Sequence, residues 1–176
     1  RTHKAADVSN RFDELAGKSV SIVGRIISIR KFGKIAFIVI KDESGEAQLF
    51  LKADVLQPLD ATQSRIGIEQ LNLLDSGDFI EAAGTVIKTQ TGEPSVEVSQ
   101  LRLLTKSLRP MPTKQDGFTN KEERLRRRYI DTNVNQVVHD RVIRRSKFWQ
   151  ATRDYLNQHD FVEINIPVLE HTTGGA

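Results

Sequence analysis

From Lys18 to Leu104 the sequence falls into apolar, β-branched runs joined by short connections that carry glycine. The longest run, residues 20–30, has Gly24 inside it, and a glycine within a strand marks a bulge or a sharp bend. Lys31-Phe32-Gly33 reads as a turn. Residues 35–41 and 47–51 follow as strands around Asp42-Glu43-Ser44-Gly45, so three consecutive strands form a meander. Between Gln63 and Leu74 the apolar residues Ile66, Ile68, Leu71, Leu73 and Leu74 recur at helical spacing. Gly67 is the weak point of that predicted helix, and Gly77 would close it. Residues 78–88 and 95–104 read as two further strands, with Thr89-Gln90-Thr91-Gly92-Glu93 as a hairpin tip.

Five strands, a bent first strand and a helix between the third and fourth match a mainly β, five-stranded OB-fold barrel. The inserted helix argues against an SH3-like barrel. Residues 18–104 are therefore expected to be the barrel, preceded by an N-terminal extension over 1–17. Residues 105–134 read as a linker or hinge, from the proline-set Leu108-Arg109-Pro110-Met111-Pro112 to a charged, helix-compatible run over 121–129. Residues 135–160 form a longer predicted helix, with Val138, Val142, Ile143, Phe148, Trp149, Tyr155 and Leu156 recurring near its period. A strand is expected over 161–169, so that 135–176 open an α+β domain.

Several function classes are excluded by composition. No stretch approaches the apolar length of a membrane span, and the first residues lack the apolar core of a secretory signal. With no cysteine there is neither a disulfide framework nor a thiolate site. A reducing, cytoplasmic setting fits. The four histidines are scattered, without metal-ligand spacing, and no phosphate-binding glycine loop occurs. No catalytic or metal constellation is therefore assigned. The chain starts at Arg1 rather than Met and stops at Gly174-Gly175-Ala176, which leads to the expectation of a fragment.

The net charge of +3 averages an uneven distribution. Residues 1–104 hold 13 basic and 14 acidic side chains, whereas residues 105–176 hold 13 and 9. Lys18, Arg25, Arg30, Lys31 and Lys34 follow one another with no acid between them. Such a stripe can track a phosphate backbone, although a solvated strand edge accounts for the same charges. Arg126-Arg127-Arg128 carries the same ambiguity between phosphate contact and a solvated helix face.

An OB face binds single strands by stacking bases on aromatics beside a basic groove and by hydrogen bonds to base edges. Gln48, flanked by Ala47 and Leu49, should point away from the interior. Phe37 shares a face with Ile35 and Val39, while Ala36, Ile38 and Ile40 occupy the other; pattern alone favours the core for Phe37. Glu93 reads by default as a solvated turn residue, yet a carboxylate there can accept from a base.

Taken in order, these segments resemble class II lysyl-tRNA synthetases from about Val20 to Ala176. The resemblance rests on Lys88-Thr89-Gln90-Thr91-Gly92-Glu93, Leu101-Arg102-Leu103-Leu104-Thr105-Lys106, Leu108-Arg109-Pro110-Met111-Pro112, Arg128-Tyr129-Ile130-Asp131, and Phe161-Val162-Glu163 through Pro167 to Gly174-Gly175-Ala176. Aspartyl- and asparaginyl-tRNA synthetases share the architecture; the hairpin and the Gly-Gly-Ala ending are similar to the lysine enzyme. The resemblance implies an anticodon-binding barrel in which Phe37 stacks a base, Arg30 and Gln48 contact the central uridine, and Glu93 reads a neighbouring base. It moves Phe37 from core to surface. It also implies a motif 1 homodimer interface including Phe161 and Pro167, and Gly175 in a lysine pocket. The parent enzyme would use ATP and Mg2+ to activate lysine for transfer to tRNA(Lys). The motifs that bind ATP would lie beyond Ala176, so the chain itself is expected to bind RNA without catalysis and without a cofactor.

This sequence departs from the family at Ile29, often a second arginine, at Ile166, and at His171-Thr172-Thr173. Two rivals remain: an OB module without sequence preference, and an assembly element whose long helix drives dimerisation.

Overall fold

In the computed structural model, inward and outward side chains alternate along β-strands in the first hundred residues, interrupted by irregularities in the first and last strands, and the strands close on themselves. The structure describes residues 1–109, 111–112 and 118–167. It divides into two units, residues 1–111 and 112–176.

The first unit is a barrel of β1 (Ser19–Phe32), β2 (Ile35–Lys41), β3 (Glu46–Lys52), β4 (Phe79–Lys88) and β5 (Pro94–Thr105). Its order is β1-β2-β3-β5-β4, with β4 returning to β1 and only β3–β5 parallel. The expected five-stranded OB architecture is thus present. Ile22, Ile38, Ile40, Leu49, Leu51 and Ile80 are fully buried and set the centre of the core. Ala5, Val8 and Leu15 join the same core from residues before β1, through α1 (Asp7–Asn10) and α2 (Phe12–Leu15). The Asp42 carboxylate fixes this entry by accepting from the Ala5 amide at 2.9 Å and the Ser44 amide at 2.7 Å.

Two expectations need correction in this unit. Phe32 lies in β1 rather than in the turn, which contracts to Gly33-Lys34 with Gly33 at φ 61°. The predicted helix over 63–74 is instead two 3-10 turns, Ala61–Gln63 and Ile68–Leu73. The cause is competition for backbone partners: the Gln57 and Ile66 amides donate to Ser99 and Leu101 of β5, and the Leu103 amide donates to Ser64. Those bonds hold the chain extended into Gly67, and Ile66, Leu71 and Leu74 are buried from the short turns. Gly77 caps no helix; at φ 104° it turns the chain into β4 and donates its amide to Ile26.

The bent first strand is present, and its bend and its bulge are separate features. It pairs with β4 through residues 19–25 and with β2 through residues 25–32. Gly24 marks the change of partner, where an added Cβ would meet Lys41 O at 3.0 Å. The bulge itself lies three residues on, between Ile26 and Ser28. Gly84 sits at another irregularity of the ladder, where an added Cβ would fall 2.0 Å from Glu97 O.

Asp78 is fully buried at the start of β4. Its carboxylate accepts from the Asp75 amide at 2.8 Å, the Ser107 amide at 2.7 Å and Lys106 Nζ at 2.8 Å. Burial pushes the carboxyl pKa up, but these hydrogen bonds together outweigh it and leave it below the ordinary value.

The second unit holds α3 (Lys121–Arg126), α4 (Arg128–Val134) and α5 (Gln136–Gln158). The charged run is thus two helices broken at Arg127, with Asn120 capping the first through the Glu123 amide. Buried Asp131 ties all three together, accepting from Arg124 and Arg128 at 2.9 Å each and from Asn135 just before α5. Burial raises its pKa, and the Asn135 and Arg124 hydrogen bonds turn the net shift downward. Arg126 and Arg127 pair with Glu122 and Glu123, so this arginine run braces the helices. The long helix is present, although of its residues only Val138 is buried. Residues 161–167 form no strand, because a strand needs a neighbouring ladder and the described residues supply none there. Val168 and Leu169, the end of that expected strand, lie outside the described residues.

Gly84→Ala is expected to destabilise the barrel by about 4 kcal/mol or more, since backbone must move to admit the methyl group. Gly33→Ala, with open space at its turn, should cost about 1–2 kcal/mol for its left-handed backbone; thermal unfolding separates the two. Asp78→Asn should cost about 1–3 kcal/mol near neutrality. A lowered carboxyl pKa stabilises the fold fully above the unfolded value and ceases to do so as pH falls through the folded value. Urea unfolding of the two proteins should therefore converge on acidification.

Candidate nucleic-acid interface

The bulge in β1 decides which side chains reach the outer face. Ile26 points inward; a regular strand would send every second residue, including Arg30, the same way. The extra residue at Ile27 reverses the alternation, so that Ile29 packs against the core and Arg30 is exposed. Arg30 then lies opposite Phe37, Phe37 opposite Phe50, and Phe50 opposite Glu97. A second outer row runs Ser28, Val39, Gln48, Ser95.

The pattern-based placement of Phe37 in the core is wrong. Ala36, Ile38 and Ile40 fill the interior, and Phe37 is half-buried on the outer face. Both faces of β2 are apolar, and the neighbouring strands, not β2 alone, determine which one turns inward.

The outer rows are physically linked. Arg30 Nη2 donates to Gln48 Oε1 at 3.3 Å, and Gln48 Nε2 donates to Ser95 Oγ at 3.0 Å. Ser95 Oγ in turn donates to the Glu93 carbonyl at 3.3 Å. The structure thus brings Arg30, Phe37 and Gln48 onto one surface and ties it to the loop that holds Glu93. That loop is closed by Thr89: its amide donates to Glu93 O at 3.0 Å, and its hydroxyl accepts from the Glu93 amide at 3.1 Å. Gly92 supplies the left-handed residue, φ 87°, that lets five residues turn back and leaves Glu93 exposed.

Phe37 and Phe50 stack with centroids 4.9 Å apart and planes inclined by 18°, while Phe32 meets Phe37 edge-on at 6.3 Å. The Arg30 guanidinium lies 5.9 Å from the Phe37 centroid, and Lys52 Nζ lies 5.2 Å from that of Phe50. Lys52 also binds Glu97 at 2.6 Å, a contact that raises the lysine pKa. Phe32, Phe50, Lys52 and Glu97 were not anticipated as part of this surface. The signal for Phe50 was its alternation with Leu49 and Leu51 on the strand that carries Gln48.

The basic stripe does not stay together. Arg30 joins the aromatic row, whereas Arg25 covers Phe79 at 4.5 Å and touches Met111. Lys18, Lys31 and Lys34 are exposed. Phe161 is exposed in the second unit, as is Pro167, and Gly175 lies outside the described residues. Among the described residues no three acidic or histidine side chains converge as metal ligands. No described helix is long and apolar enough to cross a membrane.

Comparison with known proteins agrees with this geometry. Residues 20–104 match the family described as OB-fold nucleic acid binding domain, and residues 120–176 match tRNA synthetases class II (D, K and N). Over all 176 residues the chain is 37% identical to a lysine–tRNA ligase of Clostridium tetani, 38% to one of Clostridium perfringens and 36% to one of Clostridium botulinum. The alignments cover 100% of this chain and 34% of each relative, so the chain spans about a third of the length of these curated relatives. The chain thus joins a segment similar to OB-fold nucleic acid binding domains to one similar to class II tRNA synthetases, and over its whole length it is similar to lysine–tRNA ligases.

Proposed function

We propose that the outer face of β1, β2 and β3, with the 89–93 loop, recognises the anticodon loop of tRNA(Lys) on behalf of a lysine–tRNA ligase. The observation that supports this most is the hydrogen-bonded path from Arg30 through Gln48 and Ser95 to Glu93, laid beside the Phe37–Phe50 pair. An unpaired loop base can stack on the aromatic pair while polar side chains along that path meet its edges. Arg30 and Gln48 suit the carbonyl and imino groups of a central uridine, and Glu93 suits a base that donates. Arginine also attracts the backbone phosphates.

In the whole ligase, ATP and Mg2+ would drive lysine activation in the catalytic domain, and Gly175 would line the lysine pocket. Phe161 and Pro167 would contribute to a homodimer interface. The exposed Phe148, Trp149 and Tyr155 of α5 favour burial of this helix in a larger assembly. The setting would be the cytoplasm, where tRNA is charged.

The test is filter binding of an RNA stem-loop carrying the lysine anticodon. Phe37→Ala should weaken binding by about 1–3 kcal/mol, the worth of one stacked base. Gln48→Ala should reduce discrimination at the central anticodon position. Unrelated single strands should bind more weakly than the lysine loop. Unchanged affinity in both variants would remove this face from consideration, and equal affinity for all sequences would favour an OB module without base preference.

A further inference from the structure

The aromatic pair has two ends. Phe37 and Phe50 cover one ring face each, leaving an outer face of Phe37 towards β1 and one of Phe50 towards β5. A cation stands at each: the Arg30 guanidinium 5.9 Å from the Phe37 centroid, and Lys52 Nζ 5.2 Å from that of Phe50. A base stacked on Phe37 beside Arg30 occupies only the first end. At the second, Lys52 is held by Glu97, the residue opposite Phe50 across the parallel β3–β5 ladder.

We propose that Phe50, Lys52 and Glu97 form a second nucleobase subsite, which takes an unpaired base with an exocyclic amino group: adenine, cytosine or guanine. It rests on the reading that this face binds single-stranded RNA. An arriving base replaces Lys52 on the ring, as any base offers a π-face to an aromatic platform. The lysine is a compact charge on a flexible stem, so it can follow the phosphate that accompanies the base. Glu97 then loses its counter-ion while remaining partly covered on β5, and it requires a donor in exchange. An exocyclic amino group supplies one, as a carboxylate accepts from cytosine N4 elsewhere. Uracil offers only an imino N–H between two carbonyl oxygens, which repel the carboxylate. The thickness of the ring pair separates the two ends, so the two bases read here do not stack directly on each other.

The 176-residue chain can be titrated by fluorescence anisotropy with a labelled lysine anticodon stem-loop. Companion RNAs each carry one amino-bearing loop nucleotide changed to uridine. In the unaltered chain one such change, at a position distinct from the one sensitive to Phe37→Ala, should cost about tenfold in affinity. Glu97→Leu should bring that ratio to about one while keeping the dependence on Phe37, with thermal melting confirming that it folds. Lys52→Met should keep the base preference and lower the salt slope by about one ion. The subsite is overturned if no loop position separates the unaltered chain from Glu97→Leu while Phe37→Ala still weakens binding. Insensitivity of binding to Phe37→Ala and Gln48→Ala as well would overturn the anticodon-loop reading with it.

Discussion

One extra residue in β1 sets the chemistry of the barrel surface. The strand must serve two neighbours, β4 through its first half and β2 through its second, and closure of the barrel fixes both registers. Within that frame the bulge between Ile26 and Ser28 is the point at which inside and outside exchange. Before it, Ile22 and Ile26 fill the core; after it, Ile29 turns inward and Arg30 turns out beside Phe37. Without that exchange a guanidinium would be aimed into an apolar interior, at a desolvation cost no partner there offsets. The polar path to Gln48 and the 89–93 loop follows from the same step. Of the two neighbouring residues after the bulge, Ile29 takes the core-facing place and Arg30 reaches the outer row.

The buried carboxylates have a different task. Asp42 fastens the N-terminal residues to the β2–β3 connection, Asp78 fastens the start of β4 to Lys106 and Ser107, and Asp131 gathers three helices. Each is surrounded by donors, the condition under which a buried charge is tolerated, and removing a donor exposes the penalty. These charges lie at junctions between elements. Glu93 and Glu97, by contrast, sit on the outer surface of the barrel with part or all of the side chain open to water.

The strands were legible because β-branched runs alternate with short glycine-bearing turns, and five of them in this order have few ways to close. The connection between β3 and β4 was less so: the spacing of Ile66, Leu71 and Leu74 suits a helix. Only the backbone bonds to Ser99 and Leu101 show why the chain stays extended there. Gly24 signals the place where β1 changes partner, whereas the bulge at Ile27 carries no mark in its residue type. Residues 5–15 enter the core through segments too short for a periodic signal. Phe37 could not be assigned a face from an all-apolar strand, and it was the family resemblance that pointed outward. Phe50 and the Lys52–Glu97 pair became recognisable only when cross-strand register placed them in the row of Arg30 and Phe37.

Amide NMR shifts of the chain, followed during titration with the lysine anticodon stem-loop, test the placement of the RNA most directly. Shifts concentrated at Arg30, Phe37, Gln48, Phe50 and residues 89–93 are the expected result. Shifts confined to α5, or to Arg25 and Phe79 with the aromatic row unmoved, would contradict it.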